Sequence, residues 1–300
     1  MLRPAPWYAP APMKRLLLSA AAVASLLAPL ACDLEKAGNQ LSADHVMVGT
    51  LLATPRVDVS ASAMAGFDAG TFGGDAGADV ISLPAQTAAF VFFGTKSGAN
   101  ASPSGVSGAN VELKAGSEPG VALTADGSGS YSRSSNGESG LVYQSGATYQ
   151  FIATESGTRY VGHVEDSPTK ESITAFHPPE GFVRLAANTA FSFDRAAAPA
   201  GKDRTLGFVT VVPLSSDGQK GEPTYSNVPT SPVEFLQLVA VPATFREARV
   251  TIPAAAFPKA AQTYLVIFQA VRMGGAETDN LFLGSALLAG TAEVGIFRTN

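Results

Sequence analysis

The sequence predicts an all-β protein, organised as two tandem antiparallel β-sandwich domains with at most one or two short helices. Apolar residues recur at every second position in several short segments, and no stretch shows the spacing of a long amphipathic helix. Turn signals that contain glycine separate these segments, for example at Ser156-Gly157, Asp217-Gly218 and Gly274-Gly275. Short alternating strands joined by such turns are typical of β-sandwiches.

Individual strands follow from this alternation. Residues 57–63 and 149–154 alternate apolar and polar side chains, which predicts strands with one buried face, and Val250–Ile252 is similar. Residues 264–269 are apolar on both faces, as expected for a strand in the middle of a sheet. One short helix is predicted to begin at Ser231, because Pro232 and Glu234 follow this capping hydroxyl at favourable positions.

The domain boundary is predicted at Pro178-Pro179, because two consecutive prolines do not continue a central strand and favour a stiff, extended joint. We therefore expect one domain at 45–178 and a second at 180–300. Within the first, residues 64–79 are rich in Gly, Ala and Asp and are predicted to form a flexible loop. Residues 32–44 are predicted to be a polar tether.

Composition excludes several classes of protein. The net charge of −5 argues against nucleic-acid binding, which requires a basic face. A single cysteine excludes a disulfide-stabilised scaffold. With 46% apolar residues, the chain is also too hydrophobic to be mostly disordered.

The N-terminal segment has the layout of a secretory signal. Met13, which we expect to be the true start, precedes Lys14-Arg15 and the apolar run Leu16–Ala31. This run has 16 residues, fewer than the ~20 needed to span a bilayer, so a transmembrane anchor is the less favoured interpretation. Residues 1–31 are therefore predicted to be a signal peptide, followed directly by the only cysteine, Cys32.

A run that ends in Leu30-Ala31-Cys32 resembles the signal of bacterial lipoproteins, although Pro29 stands where that family usually has Leu. The resemblance implies that Cys32 is lipidated and becomes the mature N-terminus, which anchors the protein in a membrane facing the periplasm or the cell surface. Cleavage after Ala31 without lipidation is the alternative. Removing residues 1–31 takes away three basic and no acidic side chains, so the net charge falls from −5 to −8.

Two further segments resemble structural modules. The order of Asn110–Leu113, the Asp126-Gly127 turn, Tyr131 and the strand at Tyr149–Ala153 is similar to the carboxypeptidase-regulatory-like (transthyretin-like) sandwich. Val250–Pro253 followed by the strand from Tyr264 resembles the end of bacterial immunoglobulin-like modules. Both resemblances imply a scaffold and no catalytic residue.

Catalytic signatures are not present in the sequence. It contains no G-x-S-x-G, H-E-x-x-H, C-x-x-C or phosphate-binding loop motif, so we expect a protein that is not an enzyme and holds no cofactor. His163 and Glu165 share one strand face with Asp166 nearby, which is a weak pattern for Zn²⁺.

Acidic and basic side chains elsewhere offer only weak candidates for sites. Asp68, Asp75 and Asp79 are weak candidates for Ca²⁺, because their spacing lacks the alternation of an EF-hand. Arg246 and Arg249 are expected at a solvated strand edge.

These observations predict an exported, lipid-anchored bacterial envelope protein with a non-catalytic binding or structural role. Its partners would be the membrane, through the lipid, and an unidentified protein or glycan. Two alternatives stay open at this point. The first is an anchored enzyme whose site the sequence does not reveal, and the second is an accessory protein that binds a small apolar ligand.

Overall fold

The computed structural model describes residues 36–64, 80–97, 102–135, 140–216, 218–229, 234–235, 238 and 242–300. Eighteen strands dominate this part of the chain, which confirms the all-β prediction. The first eleven are β1 (His45–Thr54), β2 (Val57–Ser60), β3 (Val80–Leu83), β4 (Gln86–Thr95), β5 (Ser104–Gly105), β6 (Asn110–Ala115), β7 (Val121–Ala122), β8 (Thr124–Gly127), β9 (Ser130–Ser135), β10 (Tyr149–Glu155) and β11 (Thr158–Val164). The others are β12 (Val183–Leu185), β13 (Phe191–Asp194), β14 (Leu206–Leu214), β15 (Tyr225–Ser226), β16 (Arg249–Ile252), β17 (Thr263–Ala276) and β18 (Ala286–Thr299).

Helical structure is limited to short segments. An α-helix, α1, covers residues 36–42, and Glu234, Phe235 and Leu238 are also helical. The last three fall in the helix predicted from Ser231, whose other residues up to 241 lie outside the described part of the chain. Single 3-10 turns lie at Ala61–Ala63, Thr174–Phe176, Pro242–Phe245 and Ala254–Ala256.

Fourteen strands form one continuous hydrogen-bonded sheet. Its main path runs β7-β6-β10-β11-β17-β18-β1-β4-β9-β8, and β5, β12, β14 and β15 pair with members of this path. Two separate two-stranded sheets, β13-β16 and β2-β3, complete the fold. The alternating segments identified in the sequence contribute β2, β10, β16 and β17.

A long hairpin of β17 and β18 connects the two ends of this sheet. Their pairing extends from Thr263 opposite Arg298 to Gly274 opposite Leu287. The start of β17 lies beside β14, whereas its end lies beside β11. On the other side, β18 pairs in parallel with β1, so residues 48–53 lie next to residues 286–291.

Two cores share this hairpin. In the first core, side chains of β6, β10 and β11 pack against those of β1, β4 and β9, with Met47, Val91, Tyr131, Val111 and Phe151 among them. In the second core, β13 and β16 cover β14, β17 and β18, and edge-to-face phenylalanines dominate: Phe176, Phe193, Phe268 and Phe297. Such rings bury large apolar areas and prefer this geometry.

The opposite face of the central strands is also covered. Leu265 and Ile267 pack with the β2-β3 hairpin, while Val266 and Phe268 point into the second core. This confirms the prediction that residues 264–269 form a central strand buried on both faces. Phe235 and Leu238 cover a neighbouring patch on β1, β14 and β18.

The division into two tandem sandwiches at Pro178-Pro179 is not confirmed by this topology. β1 and β11 lie before that position, yet they pair with β18 and β17, which follow it. The segment before the prolines is packed rather than extended, because Ile173 and Phe176 are buried in the second core. Strands from both halves of the chain build the first core, because Leu287 and Ala289 of β18 pack in it with residues of β1, β4 and β10.

Three local expectations also differ from the structure. Within the predicted tether, residues 36–42 form α1, and its buried Gln40 donates hydrogen bonds to the carbonyls of Ala276 and Thr278. Gly274-Gly275 is not a turn but lies within β17. A Cβ on Gly274 would come within 1.8 Å of the His163 carbonyl oxygen, so glycine permits β11 and β17 to approach closely. The strand expected at 57–63 ends at Ser60.

Candidate ligand-binding cleft

The end of β11, the loop before β14 and the middle of β17 enclose an open cleft of about 530 Å³. Arg246, which follows the 3-10 turn at Pro242–Phe245, closes one side. Its basic lining side chains are His163, Lys202, Arg204, Arg246 and Arg272, and its acidic ones are Glu165, Asp166 and Asp203. Charged side chains thus line most of this cleft.

Asp166 is the central acidic group of the cleft. It lies just past the end of β11, with a φ of 50° in the left-handed region that Asp and Asn tolerate better than most residues. Lys202 donates a hydrogen bond to Asp166 Oδ2, and Arg272 Nη2 lies 3.7 Å from the same oxygen. The hydrogen bond and charge of Lys202, with a smaller contribution from Arg272, lower the pKa of Asp166.

Arg246 and Arg204 differ in whether a carboxylate balances their charge. Arg246 forms an ion pair with Asp203. Arg204 instead donates to two backbone carbonyls, those of Ala196 and Arg246, each at 3.2 Å. Among the described residues, Arg204 has no carboxylate partner within 4.0 Å. Since Lys202 and Arg272 share a single carboxylate, the guanidinium of Arg204 leaves the cleft with surplus positive charge.

Buried donors without partners concentrate at this cleft. In the described part of the chain, six buried side-chain nitrogen or oxygen atoms make no hydrogen bond, and three of them belong to cleft residues: His163 Nδ1, Arg246 Nε and Arg272 Nε. Most buried polar atoms in folded proteins are paired, so such a concentration needs an explanation.

The predicted pair of His163 and Glu165 lies at one edge of the cleft. Glu165 Oε1 is 3.6 Å from His163 Nε2, and Glu277 Oε2 is 3.6 Å from His163 Nδ1. Glu277 also accepts hydrogen bonds from Gln150. Across the residues described, no three His, Cys, Asp or Glu side chains are grouped as metal ligands.

A second cleft of about 500 Å³ adjoins the first and shares Asp166, Lys202, Arg204 and Arg272 with it. Next to it lies Arg195, whose guanidinium binds Glu171 and Thr205 and stacks 4.9 Å from the centre of the Phe268 ring. Gly207 makes room for this guanidinium, because a Cβ there would lie 2.8 Å from Arg195 Nη1. Arg195 thus ties the wall of the cleft to the second core.

The other histidines lie in separate clusters. His177 and Lys170 both contact the carboxylate of Glu293, which is 2% exposed on the otherwise apolar strand β18. His45 bridges Asp44 and Glu155 at 2.7 and 3.0 Å and stacks on Tyr160. Neither cluster lines the first cleft, whereas Lys170 also lines the second.

Several predicted site residues lie outside the described part of the chain. These are Cys32 and the three aspartates Asp68, Asp75 and Asp79. Of the two arginines expected at a solvated strand edge, Arg249 is exposed, whereas Arg246 lines the cleft. Sequence reasoning missed Lys202, Arg204 and Arg272, because no local motif connects them to His163.

No protein-family model matches this sequence, and a search of curated proteins finds no relative. The resemblances to transthyretin-like and immunoglobulin-like modules therefore stay predictions. None of the helical segments in the described ranges has the length and hydropathy that crossing a bilayer requires.

Proposed function

We propose that this is an exported protein, anchored by lipid on Cys32, that binds a polar ligand in the charged cleft without catalysing a reaction. The proposal of a lipid anchor rests on the position of Cys32. The only cysteine of the chain follows directly after a basic segment and a 16-residue apolar run. Several acyl chains on one residue would hold a folded domain firmly, whereas a single chain binds only reversibly.

The distance from Cys32 to the folded body supports a close association with the membrane. The described part of the chain starts at residue 36, which is helical, and helix α1 is fixed to the sheet through Gln40. The intervening residues span at most about 14 Å when fully extended. A lipid on Cys32 would therefore hold the β-rich body near the bilayer surface rather than on a long tether.

The chemistry of the cleft supports the binding of a polar ligand. Eight of its lining residues have charged or ionisable side chains. That the protein is not an enzyme rests on the sequence, which lacks the catalytic motifs considered above. Charged lining also favours a polar ligand over the small apolar ligand considered as an alternative.

The anchor is tested by intact-mass analysis of the protein from the membrane fraction. We expect a mature N-terminus at Cys32 carrying acyl mass, and we expect Cys32→Ser to abolish both the added mass and membrane retention. In a matched control, Ser42→Cys combined with Cys32→Ser restores the thiol ten residues later and should restore neither property. Wild-type protein that is soluble and carries an unmodified Cys32 would refute the proposal.

A further inference from the structure

We infer that the charged cleft is an oxyanion site. It takes a small molecule that carries two or more negative charges on carboxylate or phosphate groups. This inference rests on the binding role proposed above and names the ligand class. It concerns the surface formed by His163, Asp166, Lys202, Arg204 and Arg272.

The charge distribution is the first argument. The chain as a whole is acidic, with a net charge of −5, yet this cleft brings together four lysine and arginine side chains against three carboxylates. Arg204 donates to carbonyl oxygens alone, which satisfy its hydrogens but do not neutralise its charge. A guanidinium presents five donors in a planar fork that matches carboxylate and phosphate oxygens.

The unpaired donors are the second argument. His163 Nδ1, Arg246 Nε and Arg272 Nε are buried atoms of residues that line the cleft, and they make no hydrogen bond, although Glu277 Oε2 lies 3.6 Å from His163 Nδ1. All three atoms belong to groups that donate hydrogen bonds when they carry charge. An anion in the cleft would offer acceptors to the other guanidinium nitrogens of Arg246 and Arg272, whose Nε–H groups have none.

Size and shape are the third argument. A volume of about 530 Å³ lies within the range of about 300–1,000 Å³ that small-molecule sites occupy. Paired strands form the part of the cleft that carries His163 and Arg272, because β11 pairs with β17 next to His163 and β14 pairs with β17 up to Val271. Strands held in this way keep these two side chains in place before a ligand binds.

Asp166 has a defined role in this site, because it acts as an internal competitor for the ligand. Its carboxylate already occupies Lys202 and Arg272, so an incoming anion must share these cations with it. Replacing Asp166 by Asn keeps a side chain that tolerates a φ of 50° and removes the competing charge. The substitution should therefore strengthen binding, whereas loss of a cation should weaken it.

The test is titration calorimetry of the full-length protein with citrate and, separately, with pyrophosphate, at constant ionic strength. We expect at least one of the two anions to bind at one saturable site. Binding of citrate identifies a carboxylate site, and binding of pyrophosphate identifies a phosphate site. Arg272→Gln and Arg204→Gln should each weaken binding at least tenfold, and Asp166→Asn should tighten it severalfold. Arg249→Gln removes an exposed arginine outside the cleft and should leave binding unchanged.

Arg204→Gln decides the question if Arg272→Gln does not fold. Two outcomes overturn the inference: no saturable binding of either anion, or equal effects of Arg204→Gln and Arg249→Gln. Failure of Asp166→Asn to tighten binding would also overturn it. The same titration is run on wild-type and Cys32→Ser protein. Anion binding by Cys32→Ser protein that is no longer retained in the membrane would separate the anion site from the anchor.

Discussion

Arg195 and Glu171 form a bidentate ion pair next to the second cleft, with Nη2–Oε2 and Nε–Oε1 distances of 2.8 and 3.1 Å. The arginine side chain is fully buried and Glu171 is 11% exposed. A second pair nearby, Arg249 and Asp194, has a similar distance of 3.0 Å but is 64% and 73% exposed. These two pairs differ mainly in burial.

Burial should therefore decide the cost of breaking each pair. We expect Arg195→Met to reduce the free energy of unfolding by about 3–5 kcal/mol, because it leaves the Glu171 carboxylate buried without its partner. Arg249→Met should cost at most about 1 kcal/mol, since water screens the exposed pair. Urea unfolding followed by circular dichroism measures both, and equal losses would show that Arg195 is not a structural anchor.

The buried carboxylate of Glu293 gives an asymmetric prediction. Its partners Lys170 and His177 are about half exposed, at 49% and 53%. Lys170→Met should destabilise the protein by a few kcal/mol, because the buried negative charge then keeps only His177 of these two partners, an imidazole whose pKa is lowered by burial. Glu293→Gln should cost much less, since both partners can turn to water.

The double variant Lys170→Met with Glu293→Gln provides the control. It should recover most of the stability lost in Lys170→Met, which a double-mutant cycle reports as a coupling energy. Additive losses would mean that Lys170 stabilises the fold by packing of its aliphatic chain instead.

Gly290 on β18 has no room for a side chain next to β17. A Cβ at this position would lie 2.1 Å from the Ala270 carbonyl oxygen and 2.7 Å from Val271 Cα. Gly290→Ala should therefore lower the free energy of unfolding by about 1–3 kcal/mol, because backbone atoms must shift to make room for the methyl group. Gly38→Ala is the matched control, since the same methyl meets open space within α1 and should stabilise by about 0.5–1 kcal/mol. Thermal unfolding of both variants tests the contrast.

The shared hairpin predicts that the first core does not fold alone. A fragment of residues 36–178 lacks β17 and β18, which pair with β11 and β1 in the complete chain. Without them, Leu287 and Ala289 are also missing from the first core. We expect the fragment to show no cooperative unfolding transition by circular dichroism. A sharp transition for this fragment would instead support the two separable domains that the sequence predicted.

Local patterns and distant pairings were not equally predictable. Alternation of apolar and polar residues predicted β10, and a run of apolar residues predicted the central strand β17. Both patterns are visible in adjacent residues, because burial of a strand face requires apolar side chains there. The pairing of β1 with β18 leaves no such pattern, since each strand alone reads as an ordinary apolar segment. For the same reason Gly274, which permits close contact with β11, was mistaken for a turn residue.

The cleft shows the same division. His163, Glu165 and Asp166 are neighbours in sequence, so the sequence indicated that they lie close together, although only as a weak metal-binding pattern. Arg204 and Arg272 come from β14's preceding loop and from β17. Only the fold brings them together, and neither lies in a recognisable motif.

The position of β18 at the end of the sequence affects when the chain can fold during synthesis. Its neighbours β1 and β17 precede it, so neither core can close until residues 286–299 have left the ribosome. Until then β1 has no parallel partner and the chain stays open. Pairings this distant also form slowly. For the export proposed above, this delay would keep the polypeptide unfolded while it is threaded through a translocation channel.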